Sequence, residues 1–222
     1  MMSLLRFIFL SFLKIIGKII YPSKLYWLDK KNSKWSDISL VLVLNHTSLF
    51  EFVYSVTLPF TFLWRLSTSL VMPVADKTMK KPIAGFIFKH LSPYTITLTR
   101  KRDESWQYFL DHIEKDRVCI FMPEGQMKRK NGLDKNGRPM KVKTGVYDLL
   151  SKYKDKKVAI VYSHGLHHVF APEDKFPKVF KRISAHIEVK DVSSFLSSFE
   201  NEKDPRLSLV NYLEKRRDQF CH

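Results

Sequence analysis

Apolar residues along this chain fall into short continuous runs that alternate with longer stretches of helical spacing. Residues 40–44, LVLVL, are five aliphatics in a row and read as a strand buried on both faces. The run stops at Asn45 and His46. Thr47 or Ser48 then caps a helix expected over residues 48–58, with Pro59 near its end. The apolar stretch 62–75 is ambiguous; its most strand-like part is 70–74, ahead of Lys77. Residues 79–91 predict a helix with Pro82 in its first turn and Gly85 allowing close approach, and 95–99 predict a strand that ends at Arg100. A helix follows between 103 and 114, where Trp106, Phe109, Leu110 and Ile113 share a face. Further strands are expected at 118–122 and 158–162, a helix at 144–154, and an edge strand at 184–189. Asp204-Pro205 starts a helix that runs to the basic tail Lys215, Arg216 and Arg217. Alternating strands and helices predict an α/β fold with a mostly parallel sheet and helices on both faces.

Residues 1–20 have another pattern. At about 100° per residue, Ser3, Arg6, Ser11, Lys14, Gly17 and Lys18 fall in one arc of roughly 140°, intruded on only by Phe7 and Leu10. The opposite face is Leu, Ile and Phe. An amphipathic helix lying in a membrane interface fits this best, with its apolar face in acyl chains and its lysines among headgroups. The alternatives are a helix packed on the protein's own core, or a transmembrane or signal segment. Spanning a bilayer needs about 20 apolar residues with few charges, and no small-residue cleavage pattern follows. Tyr21, Tyr26 and Trp27 come next, where aromatic side chains anchor at headgroup level. The expected organisation is a membrane-associating helix and linker over 1–33 and a catalytic domain over 34–222.

Composition narrows the classes. With 222 residues, 45% hydrophobic content and 17 Phe, the chain can fill a sizeable core, which excludes general disorder. A formal net charge of +16 predicts attraction to anionic surfaces. Cys119 and Cys221 are the whole cysteine complement, so neither a disulfide framework nor a four-cysteine metal site is expected. Residues 126–143 carry Lys128, Arg129, Lys130, Lys135, Arg138, Lys141 and Lys143 against the single acid Asp134, and read as a basic loop. Nucleic acid is not the expected partner, because these cations lack interleaved aromatics for base stacking.

Three strand ends carry candidate chemistry. His46 follows the first buried strand, where open α/β sheets place their sites. Glu51 either completes the capping box Ser48-Leu-Phe-Glu51, satisfying backbone donors, or faces the imidazole. FMPEG, residues 121–125, is another strand running into a polar turn, with Glu124 presenting a carboxylate and Gly125 permitting close backbone approach. Arg100 ends a third. Residues 162–170, YSHGLHHVF, offer three histidines without the spaced acid or thiol partners a metal needs, so no metal is expected.

NHTSLFE at 45–51 resembles the first block of the glycerolipid acyltransferases, the family of lysophosphatidic acid and glycerol-3-phosphate acyltransferases, whose mark is Asn-His, four residues, then Asp. FMPEG resembles their Phe-Pro-Glu-Gly block. Residues 75–100 resemble the second block, with Lys77, Pro82, Gly85 and Arg100 at its usual positions, and VAIVY at 158–162 falls where the fourth is expected. The likeness spans roughly residues 35–165. The departures are Glu51 for Asp, Met122 for Phe, Gln126-Met127-Lys128 where Thr-Arg-Ser is common, and a fourth block without its proline.

The resemblance implies transfer of an acyl group from a thioester, acyl-CoA or acyl carrier protein, to a lysophospholipid hydroxyl, with 1-acyl-glycerol-3-phosphate as the leading acceptor. His46 is then the general base and Glu51 its partner on the other ring nitrogen. Lys77, Arg100 and Lys128 are the expected phosphate ligands, Glu124 and Gly125 the acceptor-binding turn, and a backbone N–H near Gly125 or Thr47 the candidate oxyanion donor. No cofactor is required beyond the thioester co-substrate. The expected setting is an anionic phospholipid membrane, bound peripherally as a monotopic protein with the site facing the cytoplasm. The rival reading is a non-catalytic basic lipid-binding protein of the same fold; a lipid hydrolase is chemically adjacent.

Overall fold

The structure, a computed structural model, describes residues 2–29, 34–48, 50–99, 104–114 and 116–221, with the main chain alone at 82–84. Its strands are β1 (Ser23–Trp27), β2 (Ile38–Leu44), β3 (Leu70–Ala75), β4 (Tyr94–Leu98), β5 (Val118–Phe121), β6 (Lys157–His164) and β7 (Ile183–Asp191). They form one sheet in the order β1-β7-β6-β2-β5-β3-β4. Every pairing is parallel except β6 with β7. The helices are α1 (Met2–Ile20), α2 (Phe60–Ser69), α3 (Asp76–Met79), α4 (Pro82–Leu91), α5 (Glu104–Asp111), α6 (Gly145–Lys152), α7 (Leu166–Phe170), α8 (Val192–Ser197) and α9 (Pro205–Phe220).

β2 is central, and all seven of its residues are buried. Its alternation feeds two cores. Leu40, Leu42 and Leu44 pack with residues of α5, α6, α8 and α9, while Val41 and Val43 face Phe62, Leu63 and Leu66 of α2 and Leu10 of α1. The mostly parallel α/β sheet with helices on both faces is therefore the observed architecture. Because β2, β3, β4 and β5 run parallel, their C-terminal ends share one edge.

Several local expectations change. The segment after His46 is a 3₁₀ helix, Glu51–Thr57, rather than an α-helix over 48–58. Its β-branched and aromatic residues are poor helix formers, and Pro59 stops it from lengthening. The helix expected at 79–91 is two, α3 and α4, divided at Lys80–Lys81 ahead of Pro82, which has no N–H to continue the ladder. Gly85 does admit a close approach: a β-carbon there would collide with the Met79 carbonyl. β7 is not an edge strand; it lies between β6 and β1. The edge on that side is β1, which carries Tyr26 and Trp27, two of the aromatic residues expected at headgroup level. Its Lys24 and Tyr26 stay exposed while Trp27 packs on Trp35, a pattern that suits an edge. The ambiguous 62–75 stretch resolves into most of α2 followed by β3. Asp103, the expected start of the helix observed as α5, lies outside the described residues.

α1 sits on the sheet's α2 face with its polar arc inward. Lys14 Nζ donates to the carbonyls of Val56 and Leu58 at 2.8 and 2.7 Å, closing the C-terminal end of the 3₁₀ helix that begins with Glu51. Arg6 Nε donates to His90 O at 3.2 Å, and Gly17 lets α1 close onto Val56. Lys14 is thus not among headgroups; burial, then the neighbouring Lys18, lowers its pKa. Outward go Leu4, Leu5, Ile8, Phe9, Phe12, Ile15 and Ile19, all exposed. Among the described residues, no helix is long and apolar enough to cross a membrane.

Replacing Lys14 by Met keeps the stem and leaves two carbonyls without a donor, at a cost of about 1–3 kcal/mol. Hydrogen exchange over residues 51–57 is expected to accelerate in that variant while β2 stays protected.

Candidate active site

At the end of β2 the chain turns sharply at Asn45, which has a φ of 65°, a left-handed conformation that Asn tolerates better than most side chains. Two bonds lock it to β6: Asn45 Nδ2 donates to Ser163 O at 2.7 Å, and Ser163 Oγ donates to Asn45 O at 2.9 Å. The turn throws His46 over the sheet edge. Its Nδ1 lies 2.7 Å from Glu51 Oε1, with 12% and 9% of the two side chains exposed. The same carboxylate oxygen accepts the Ser48 N–H at 3.2 Å, and Ser48 Oγ accepts the Phe50 N–H at 3.0 Å. Glu51 therefore does both things its position allowed, holding a turn and holding the imidazole. Burial pulls the His46 pKa down, but the Glu51 carboxylate beside it and Glu124 beyond outweigh this, and the net shift is upward.

Glu124 is fully buried and spends both oxygens on the protein. Oε2 accepts the His46 N–H at 2.7 Å, and Oε1 pairs with Arg217 Nη1 of α9 at 2.9 Å. The resemblance places this carboxylate in the acceptor-binding turn; its two oxygens also tie the ends of β5 and β2 to the C-terminal helix. Arg217 also donates to Met140 O at 3.1 Å, and Glu214 Oε1 accepts the Val142 N–H at 2.7 Å. α9 so clamps both the Pro-Glu-Gly turn and the basic segment beside it. Arg217 looked like part of a basic tail, yet it follows Leu209 and Leu213 at helical spacing on the buried stripe. That register is the signal in the sequence.

A cavity of about 1270 Å³ opens around His46, Glu51, Glu124 and Gly125. One part runs between the sheet and α1, α2 and α4, walled by Val41, Val43, Leu63, Leu66, Met72 and Leu91. The other passes Phe121 toward Trp106, Lys135, Arg138, Lys141, Lys143 and Gly145. Apolar walls and cations thus line one cavity together with the imidazole.

The remaining candidates divide. Gly125 is at the cavity with φ 67°, but its N–H donates to Met122 O at 3.0 Å and is not a spare oxyanion donor. Lys128 supports the turn through its N–H to His46 O at 2.7 Å, and its Nζ reaches Asn45 Oδ1 at 3.4 Å; it does not line the cavity. Lys77 is exposed on α3, and its neighbours Ala75 and Thr78 line the cavity instead. Arg100 lies outside the described residues. His164 ends β6 and His167 and His168 sit on α7; burial, then His168, His164, Lys128 and Lys130, bring His167 down to about 4. Among the described residues, no cluster of three His, Cys, Asp or Glu is placed to hold a metal.

Arg217→Ala strands the Glu124 charge in the interior, where losing one partner of a buried pair costs about 3–5 kcal/mol. A lowered urea midpoint is expected in Arg217→Ala, with a smaller loss in Arg217→Lys.

Residues 29–163 match the protein family described as Acyltransferase. Comparison with curated proteins gives no match. Among solved structures, the crystal structure of the 1-acyl-sn-glycerophosphate (LPA) acyltransferase PlsC from Thermotoga maritima aligns with a TM-score of 0.55 at 16% identity, covering 95% of this chain and 78% of that one. At that identity the likeness concerns the fold. The matched segment holds β2, His46, Glu51 and the Pro-Glu-Gly turn and spans more than half of the sequence, and this chain belongs to the acyltransferase family.

Proposed function

We propose that this acyltransferase moves an acyl group from acyl-CoA or acyl carrier protein to the hydroxyl of a lysophospholipid, with 1-acyl-glycerol-3-phosphate as the acceptor. The observation that carries the reading is the 2.7 Å contact between His46 Nδ1 and Glu51 in a cavity lined by both apolar and basic residues. With Nδ1 held by the carboxylate, Nε2 is the basic nitrogen. The acceptor hydroxyl gives its proton to Nε2 as its oxygen bonds to the thioester carbonyl carbon. The carbon–sulfur bond then breaks, and the leaving thiolate takes the proton back from the imidazolium, which Glu51 stabilises meanwhile. No acyl-enzyme is needed. The apolar part of the cavity suits the acyl chain.

Glu124 serves this site as a positioning residue, through the His46 N–H. The acceptor phosphate falls to Arg100 and to cations at the cavity mouth. The exposed apolar face of α1, together with Phe60 and Trp64 of α2, lies on an anionic bilayer as a monotopic contact, with the active site on the cytoplasmic side.

Purified protein in micelles, offered lysophosphatidic acid, glycerol 3-phosphate and other lysolipids with each donor, is expected to form a new ester with lysophosphatidic acid. His46→Ala is expected to lose about 10²–10⁴ of that rate. A wild type inert across the panel overturns the proposal in favour of a lipid-binding protein.

The pH profile carries a sign. The base works when neutral, and its pKa is held above the ordinary histidine value of about 6.5, so kcat/KM is expected to rise with pH through a value above that. Glu51→Gln removes the carboxylate and leaves the burial, so the acid limb moves to lower pH and the plateau falls.

Deleting α1 would open the apolar cavity, which Leu10 helps to line. The membrane contact is therefore tested by Ile8→Asp with Phe12→Asp, on the outward face. Cosedimentation with anionic liposomes is expected to drop while activity on a micellar acceptor persists.

A further inference from the structure

The connection between α7 and β7 carries residues 175–182, KFPKVFKR, in which aromatic and aliphatic side chains are interleaved with cations and no acid occurs. Phe176 and Phe180 are 79% and 72% exposed, and Val179 is half exposed. The backbone that carries them is pinned. Asp174 fixes its start: Oδ2 accepts the Ala171 N–H at 2.9 Å, and Oδ1 pairs with Lys130 Nζ at 2.6 Å and Lys178 Nζ at 3.5 Å. Lys178 N–H donates to Val169 O at 2.7 Å, Phe180 N–H to Ile20 O at 3.2 Å, and Ile183 N–H to Pro22 O at 3.0 Å. Phe180 has a φ of 58°, a conformation disfavoured for a bulky side chain. The fold thus holds two phenyl rings out in water, one of them at a strained position.

Two neighbours indicate what covers these rings. At one end the segment meets the last turn of α1, where Ile19 is 73% exposed just before the carbonyl that Phe180 bonds. The outward apolar face of α1 therefore continues onto this segment. At the other end Pro172 lines the cavity, as does Arg129, whose Nε lies 3.7 Å from Glu173 Oε1. Lys175, Lys181 and Arg182 are exposed, and none forms an ion pair with a carboxylate among the described residues. Rings and cations mixed in this way suit the boundary of an anionic bilayer, where apolar groups enter the acyl edge and lysines reach lipid phosphates. Continuity with α1 favours lipid over an acidic protein. We propose that residues 175–182 are a second membrane contact, with Phe176, Val179 and Phe180 set into the edge of an anionic bilayer and Lys175, Lys178, Lys181 and Arg182 on its phosphates. This rests on the proposed lipid contact of α1 for the direction of the bilayer. A helix lying alone in the interface is free to roll about its axis; a contact beside its end stops the roll and brings the Pro172 side of the cavity to the lipid.

The test places a nitroxide at residue 176 of the full chain, through Phe176→Cys in a Cys221→Ser background, since Cys119 is buried. Vesicles of phosphatidylcholine are added with and without phosphatidylglycerol. On anionic vesicles the label is expected to become accessible to oxygen and shielded from a water-soluble nickel chelate. Phe176→Ser with Phe180→Asn is expected to weaken cosedimentation with those vesicles by about tenfold or more. Its thermal midpoint is kept, because both rings are exposed and Asn tolerates a positive φ. Lys181→Gln with Arg182→Gln is expected to lose a similar factor on anionic vesicles and nothing on neutral ones. A label that stays in water on vesicles overturns the proposal, as does unchanged cosedimentation of the ring variant. So does a label shielded by acyl carrier protein but not by vesicles, which makes the segment a protein contact. Ile8→Asp with Phe12→Asp separates the two surfaces. If that variant binds vesicles as wild type does while the label inserts, the α1 contact fails alone. If it loses binding while the label on an unaltered α1 background stays in water, the second contact fails alone.

Discussion

One buried carboxylate organises the working edge of this molecule. Glu124 accepts the His46 main-chain N–H with one oxygen and pairs with Arg217 through the other. Both partners are needed, because a carboxylate with no exposed surface is tolerable only when charge and hydrogen bonding are met from within. The consequence is mechanical. The ends of β2 and β5, which are neighbours in the sheet, are fastened at the point where the chain leaves it, and a helix distant in sequence becomes part of the same edge. α9 lies beyond the segment that matches the acyltransferase family, yet it also holds Met140 and Val142 through Arg217 and Glu214. The shape of the basic wall and the position of the imidazole thus share one support.

The N-terminal helix is attached from the opposite side by the same kind of bond. Lys14 fills the carbonyls that end the 3₁₀ helix carrying Glu51, so the surface that holds the proposed base partner also holds α1. The helix consequently shows its apolar residues outward, reversing what burial alone favours in water. In the proposed function that face meets lipid, and the bilayer supplies the apolar environment the protein does not. Contact with the membrane and orientation of the imidazole are then linked through the packing of α1 on this 3₁₀ helix, Lys14 included.

The cavity expresses the two halves of the proposed chemistry as two kinds of wall. Its apolar part is made of residues that would otherwise be ordinary core between the sheet and α1, α2 and α4, while its cationic part comes from a segment with almost no regular structure. A sheet edge is where these can meet, since the strands end there and the connecting segments are free to take irregular conformations. Desolvation on the His46 side strengthens the interaction with Glu51, and solvent on the lysine side keeps four cations affordable.

How much of this was legible beforehand depended on whether the signal was local. Alternation and runs of aliphatics along 40–44, 70–74, 118–122 and 158–162 marked the parallel core, and the Asn-His and Pro-Glu-Gly motifs marked the strand ends, because burial on both faces of a strand leaves a pattern in consecutive residues. Lys141 and Lys143, alternating with Met140 and Val142, left a pattern too, masked by the charge around them. What consecutive residues do not carry is the choice of partner. Whether 183–191 is an edge, whether Lys14 turns to headgroups or to the carbonyls of Val56 and Leu58, and which cation pairs with Glu124 are each settled by side chains far apart in sequence. Desolvation makes those choices, since a buried charge takes whichever opposite charge or donor the packing brings within reach. The sequence by itself determined most of the parallel strands and marked their ends as the candidate site; the tertiary structure alone decided which polar groups are spent on the protein.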